Sequence, residues 1–343
     1  MRTMNVGLIG YGMAGAIFHA PVIAAVEDLR IKSVMTSRGA DVARDLPQAV
    51  AVESAAEIFA DPAIELVVIA TPNTTHFELA REALLAGKHV VIDKPMTTSA
   101  ADADALIALA VERGRLLSVY QNRRWDNDFL TLRSILGTGR LGHVYTYEAH
   151  YDRFRPAIKP GWRERPQPGS GLLFDLGSHL IDQALVLFGM PETVMADVYE
   201  QRPDARVDDY FHIVLAYRDR RAILHASTIV RELGPHFALH GDGGSFLKYG
   251  LDSQEAALKA GRPAGGPDWG RDDPAAYGTF VDADGTRELI ETLPGSYPAF
   301  YAAMAAAIAG NGAVPVPAEA ARDVIAVIEL ARRSAAERRT LTP

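Results

Sequence analysis

Apolar residues in the first third of the chain fall into short runs separated by helical spacing. Leu66–Ala70 (LVVIA) and His89–Ile92 (HVVI) are continuous and β-branched, the pattern of strands buried on both faces of a parallel sheet. Val6–Ile9, Ile31–Met35 and Leu116–Tyr120 read as further strands. Between them, Ala14–Val26, His76–Ala86 and Ser99–Arg113 carry apolar residues at helical intervals. Strand alternating with helix predicts a doubly wound α/β unit of the Rossmann type, ending near Tyr120.

Beyond that point strict alternation takes over. Val144–Tyr151, Val194–Tyr199, Tyr210–Tyr217, Ala222–Val230 and Phe237–His240 predict a largely antiparallel sheet. Helices are expected at Asp126–Leu136, Leu176–Phe188, Tyr297–Ala309 and Ala318–Ala335, and loops at Phe154–Gly171 and Gly261–Gly278. The predicted fold is therefore an α/β dinucleotide-binding domain over residues 1–121. An α+β domain for substrate binding and oligomerisation follows over residues 122–343.

Composition narrows the function classes. The chain has 343 residues, 48% of them hydrophobic, enough for two cores. It has no cysteine, which removes disulfides, thiolate metal sites and thiol nucleophiles. Net charge is −8, from 43 acidic and 35 basic side chains, so nucleic acid is not an expected partner. No apolar run approaches the ~20 residues of a membrane span, and the first residues lack a secretory leader pattern. A cytoplasmic protein with a small-molecule substrate is expected.

Gly10-Tyr11-Gly12-Met13-Ala14-Gly15 fits G-x-G-x-x-G directly after a strand and at the start of a helix. In that setting the first glycine allows the tight turn, the second admits a pyrophosphate and the third lets helix pack on strand. The next strand ends in Met35-Thr36-Ser37-Arg38, with no acid to hold a ribose 2′-hydroxyl. Two hydroxyls and a guanidinium suit a 2′-phosphate, so NADP is favoured over NAD, unless Arg38 is only a solvated loop residue. Thr71, Pro72, Asn73 and His76 follow the third strand at the same sheet edge, either as cofactor contacts or as a turn with a helix cap.

Three groups could carry chemistry. Asp93-Lys94-Pro95 ends the HVVI strand, and Lys94 there could stabilise a forming alkoxide or be a solvated surface lysine. Asp175, His179 and Asp182 share a polar stripe at the start of a helix. A first-turn histidine is held neutral by the dipole, as a general base requires; the plain alternative is a capping aspartate and a surface histidine. This stripe lacks the spacing of a zinc site, and no metal site is expected in the chain. We assign Asn122, Arg123 and Trp125 to the cofactor side, with a domain-interface clamp as the alternative. Arg153, Trp162 and Arg163 form a basic, aromatic loop suited to the rim of a sugar or polyol pocket. Arg38, Lys94, Arg123 and Arg124 make a locally basic cleft in an acidic chain.

Taken together, the glycine loop, Thr71-Pro72 with His76, Lys94-Pro95 and Asp175 with His179 resemble the Gfo/Idh/MocA oxidoreductase family. The resemblance implies an active site of Lys94, Asp175 and His179, with Asp93 beside the cofactor where the family usually has glutamate. Met35–Arg38, Leu117–Phe129, Asp175–Gln183, Leu187–Pro191, Asp209–His212 and Ser245–Gly250 are most similar to its NADP-dependent inositol dehydrogenase branch. That implies hydride exchange between NADP(H) and a secondary hydroxyl or ketone of a cyclic polyol or sugar, such as scyllo-inositol or its inosose. It also implies a homo-oligomer. The competing readings are a non-catalytic dinucleotide sensor, which needs neither Lys94 nor His179, and a redox-assisted glycosidase that keeps its cofactor bound.

Overall fold

A computed structural model describes residues 3–343, and the chain divides into two compact units. The first comprises the chain up to Trp125 with Ser253–Gly270 and Ser296–Arg322. The second holds Asp126–Asp252, Arg271–Gly295 and Asp323–Pro343. Each unit is thus discontinuous, whereas the sequence suggested one division after residue 121.

In the first unit six parallel strands, β1 (Met4–Ile9), β2 (Leu29–Met35), β3 (Val50–Val52), β4 (Ile64–Ile69), β5 (His89–Asp93) and β6 (Leu117–Tyr120), lie in the order β3-β2-β1-β4-β5-β6. The order reverses between β1 and β4, and ligands of open α/β sheets bind at such a point, beyond the carboxyl ends. Val6, Leu8, Val67, Val68, Val91 and Ile92 have no exposed surface, which is why these strands read as unbroken apolar runs. Helix Ala100–Arg113 starts where Ser99 Oγ accepts the Asp102 N–H at 3.1 Å and stops at left-handed Gly114.

Helix Pro298–Ile308 belongs to this unit and not to the second domain. It brings fully buried Phe300, Tyr301 and Met304 into the core built on β1–β6. Phe300 packs edge-on to Tyr120 at 5.0 Å and to Trp125 at 5.5 Å. Burying these aromatic faces outweighs chain proximity in deciding where the segment docks.

The second unit is an eight-stranded sheet. Its strands are β7 (Val144–His150), β8 (Thr193–Tyr199), β9 (Tyr210–Ala216), β10 (Arg221–Ser227), β11 (Phe237–Gly241), β12 (Gly244–Lys248), β13 (Gly278–Asp282) and β14 (Arg287–Ile290). The order is β14-β13-β12-β11-β7-β10-β9-β8, antiparallel except for the β7–β10 pair. Strand β14 was not expected because its side chains are largely exposed, leaving no alternation to read. Helix Ser178–Phe188 covers one face, with Phe188 edge-on to Tyr147 at 5.6 Å.

Buried charge is paired here. Arg202 Nε donates to Asp209 Oδ2 at 2.6 Å and Nη2 to Glu164 Oε2 at 2.8 Å, with both Arg202 and Asp209 almost wholly buried. Replacing Asp209 by Ala should cost about 3 kcal/mol, because it leaves a buried guanidinium with one of its two carboxylates and Nε unpaired. Urea denaturation followed by circular dichroism checks this, and a loss under about 1 kcal/mol would contradict it.

Candidate active site

Gly10 follows β1 with φ at +98°, and a Cβ there would stand 2.7 Å from the Ala70 carbonyl oxygen. A Cβ on Gly15 would overlap the Gly10 carbonyl oxygen, so the helix approaches the strand only because both positions are glycine. A Cβ on Gly12 would meet nothing within 4 Å, so this backbone stays open to a ligand. The chain then forms a π turn, Ala14–His19, before helix Ala20–Ala24. Together these are the close-packed outer glycines and open middle glycine that a dinucleotide pyrophosphate needs. Tyr11 is buried, and its hydroxyl donates to Asp45 at 3.3 Å. Burial and the Asp45 charge push that hydroxyl up to about 12, so it remains a donor that anchors the loop. Met13 lies exposed beside it.

At the end of β2, Thr36 Oγ1 accepts the Arg38 N–H at 2.9 Å, which fixes the turn. Ser37 and Arg38 are exposed, and among the described residues the Arg38 guanidinium pairs with no carboxylate. Beyond β4, the Thr71 and Thr75 hydroxyls are bonded at 2.7 Å, and Asn73 is buried at the start of a short 3-10 turn after Pro72. His76 is buried between two backbone oxygens, with Nδ1 2.9 Å from Pro95 O and Nε2 3.0 Å from Thr71 O. It therefore ties the loops after β4 and β5 together. Burial holds its imidazole below the ordinary range, more strongly than Asp93 and the carbonyls raise it.

Lys94 is half-buried beyond β5, unlike a free surface lysine, and a cis bond joins it to Pro95. Its N–H donates to its neighbour, Asp93 Oδ1, at 2.9 Å. His19 Nε2 lies 3.6 Å from the same oxygen, and His19 Nδ1 is 2.5 Å from the Tyr301 hydroxyl. Burial alone would raise the Asp93 carboxyl, yet His19 and the Lys94 ammonium outweigh it and keep it below the usual range. The chain Tyr301–His19–Asp93 thus braces the backbone that presents Lys94. Neither His19 nor Tyr301 stood out in the sequence, since 282 positions separate them.

Arg123 and Trp125 are occupied within this unit. Arg123 is buried and donates to Glu255 Oε2 at 2.6 Å, while the Trp125 carbonyl accepts from Gln254 at 3.1 Å and from the Ser296 N–H at 3.0 Å. They knit the two returning segments to the sheet, with half-buried Asn122 beside them. The basic region is therefore less positive than the sequence suggested, since the Arg123 charge is spent on Glu255.

In the second unit the helix that carries Asp175 begins earlier than expected. A π turn over Leu173–Gly177 leads into Ser178–Phe188, so Asp175 lies within the helical segment and not at its N-cap. His179 is consequently beyond the first turn, where the dipole acts only weakly. His179 and Asp182 are also buried, so their stripe does not face solvent. A Cβ on Gly177 would stand 2.7 Å from Leu173 Cδ1 in the same helical segment and 3.5 Å from the Phe211 ring of β9. Arg163 Nε sits 3.3 Å from Asp175 Oδ1, and its guanidinium lies over the Trp162 ring at 4.5 Å. Three residues expected to meet substrate thus form one cluster. Arg153 lies over the Tyr151 ring at 5.1 Å. Both candidate helices open on a π turn, a feature frequent at functional sites.

Comparison with known proteins agrees with this two-part fold. Residues 4–121 match the oxidoreductase family NAD-binding Rossmann fold, and residues 133–342 match the same family's C-terminal alpha/beta domain. The chain is 45% identical over 342 residues to scyllo-inositol 2-dehydrogenase (NADP(+)) IolW of Bacillus subtilis, covering 99% of this chain and 96% of that one. It is 47% identical over 341 residues to the uncharacterized oxidoreductase YdgJ of Escherichia coli, covering 98% of each. The oxidoreductase YvaA of Bacillus subtilis superposes with a TM-score of 0.98 at 45% identity, over 100% of this chain and 99% of that chain. The chain belongs to the Gfo/Idh/MocA oxidoreductase family. It is an NAD(P)-dependent dehydrogenase that acts on CH–OH groups. Among the described residues, no helix is long and apolar enough to cross a membrane.

The Arg123–Glu255 pair gives a pH signature. Burial would raise Glu255, but Arg123 and Lys259 bring it from its ordinary 4.5 to about 2. A depressed folded value means the pair stabilises above pH 4.5 and loses that contribution as pH falls toward 2. Glu255→Gln should therefore cost about 2 kcal/mol at neutral pH, with the gap to wild type closing in acid. Unfolding midpoints measured between neutral pH and acid test it; a gap that persists unchanged in acid contradicts the pair.

Proposed function

We propose that the protein is an NADP-dependent dehydrogenase of a cyclic polyol or sugar, scyllo-inositol or its inosose being the substrate to test first. The observation that carries the cofactor choice is Arg38, exposed and unpaired after a strand with no acid at its end. Its fork can hold a 2′-phosphate through charge-assisted bonds, supported by Ser37 and by a turn that Thr36 fixes. The likeness to IolW over nearly the whole chain supports the substrate class.

NADP, when bound, supplies the hydride acceptor for the carbinol C–H bond. His179 takes the hydroxyl proton, Asp175 orients His179 or the substrate, and the Lys94 ammonium stabilises negative charge growing on that oxygen. Arg163 and Trp162 hold Asp175 in place and, with Arg153, form the polyol rim. Gly10, Gly12 and Gly15 cradle the pyrophosphate, while Thr71 and Asn73 line the same sheet edge. We also propose a homo-oligomer: Met195, Tyr199 and Leu289 lie exposed on the sheet face opposite helix Ser178–Phe188 and suit burial against a second copy.

Lys94→Ala and His179→Ala should each lower kcat by about 100-fold or more, with cofactor affinity little changed. Steady-state turnover of scyllo-inositol with NADP is the measurement, and wild-type rates in both variants would refute the roles. Arg38→Ala should weaken NADP binding about tenfold or more and leave NAD binding nearly as it was. Equal losses for both cofactors, read by fluorescence titration, would remove the 2′-phosphate assignment.

A further inference from the structure

The sheet of the second unit places three histidines in one row on the face away from helix Ser178–Phe188. Antiparallel pairing sets His212 of β9 opposite His225 of β10, and parallel pairing sets His225 opposite His150 of β7. The chain leaving β7 then adds Asp152. His225 Nε2 is 3.3 Å from Asp152 Oδ1, and His150 Nδ1 is 3.6 Å from Asp152 Oδ2. One donor atom from each of His150, Asp152 and His225 lies within 4.8 Å of the others. The Asp152 side chain is 10% exposed and that of His225 16%. Asp152 Oδ1 is buried and faces His225 Nε2 without an aligned hydrogen bond, an incompletely satisfied carboxylate oxygen that a shared cation would neutralise.

We propose that His150, Asp152 and His225 form a binding site for a first-row divalent transition ion. Two imidazoles and one carboxylate are the donors such ions prefer, whereas Mg²⁺ and Ca²⁺ take oxygen. Tetrahedral coordination at ~2.1 Å needs donors roughly 3.4 Å apart, a contraction that side-chain rotation supplies. Glu148 Oε2 lies 3.5 Å from His150 Nε2 and is the outer carboxylate that orients a ligating histidine, leaving Nδ1 for the ion. An ion there pins the chain leaving β7, one residue before Arg153, to β10. It stands apart from the dehydrogenase chemistry proposed above, and neither reading depends on the other.

The experiment uses the full chain, free of any tag and stripped with EDTA, titrated calorimetrically with Zn²⁺ in excess Mg²⁺. One Zn²⁺ per chain with micromolar or tighter affinity is expected, weakened at least about tenfold in His225→Gln and in Asp152→Asn. Because either variant could fold poorly, Co²⁺ is also added to the wild-type protein, where intense visible d–d bands of low-coordinate cobalt are expected. Undiminished Zn²⁺ binding in both variants, absence of stoichiometric binding, or lack of those cobalt bands would each overturn the site.

Discussion

The nucleotide-binding unit depends on one close contact between backbones. Gly15 can lie against the Gly10 carbonyl only because neither residue has a side chain in the way. That approach sets the helix after β1 against β1 itself and aims its first amides past Gly12, whose Cβ position is open. The π turn at Ala14–His19 continues from there and carries His19 into the core beneath β5. The glycine pattern thus leaves the backbone open at Gly12 on one side and delivers His19 to Asp93 on the other.

Charge inside the protein is held by designated partners. Asp93 leans on His19, Glu255 on Arg123, and Asp209 on Arg202. Each is a buried or half-buried carboxylate whose desolvation would be prohibitive alone. In the first two cases the partner comes from a segment distant in sequence, so the pair also fixes register between segments. His76 does this work without a charge, by standing between the Thr71 and Pro95 carbonyls. Lys94 and the Thr71 turn are consequently placed by this network.

Much of the candidate site was legible because its signals are local. The glycine spacing, the missing acid after β2 and the Lys94-Pro95 pair at a strand end each occupy a few consecutive residues. The Arg163–Asp175 contact lies within the loop and helix the sequence had grouped together. Where the reading failed, the cause was geometric. A π turn starts the helix before Leu176, so His179 is not in its first turn, and no hydrophobic period announces such a turn. Arg123 looked available because Glu255 is far along the chain.

The sequence by itself determined the strand–helix alternation, the parallel character of the first sheet, the glycine loop after β1 and the candidates Lys94, Asp175 and His179. These follow from periodicity and from residue types whose properties do not depend on distant neighbours. Only the tertiary structure decided that helix Pro298–Ile308 completes the core of the first unit, that Tyr301 and His19 support Asp93, and that His150, His212 and His225 share a row. Those outcomes depend on which surfaces bury each other and on strand register. Both are set by the whole chain at once, because burial rewards complementary faces irrespective of their separation in sequence.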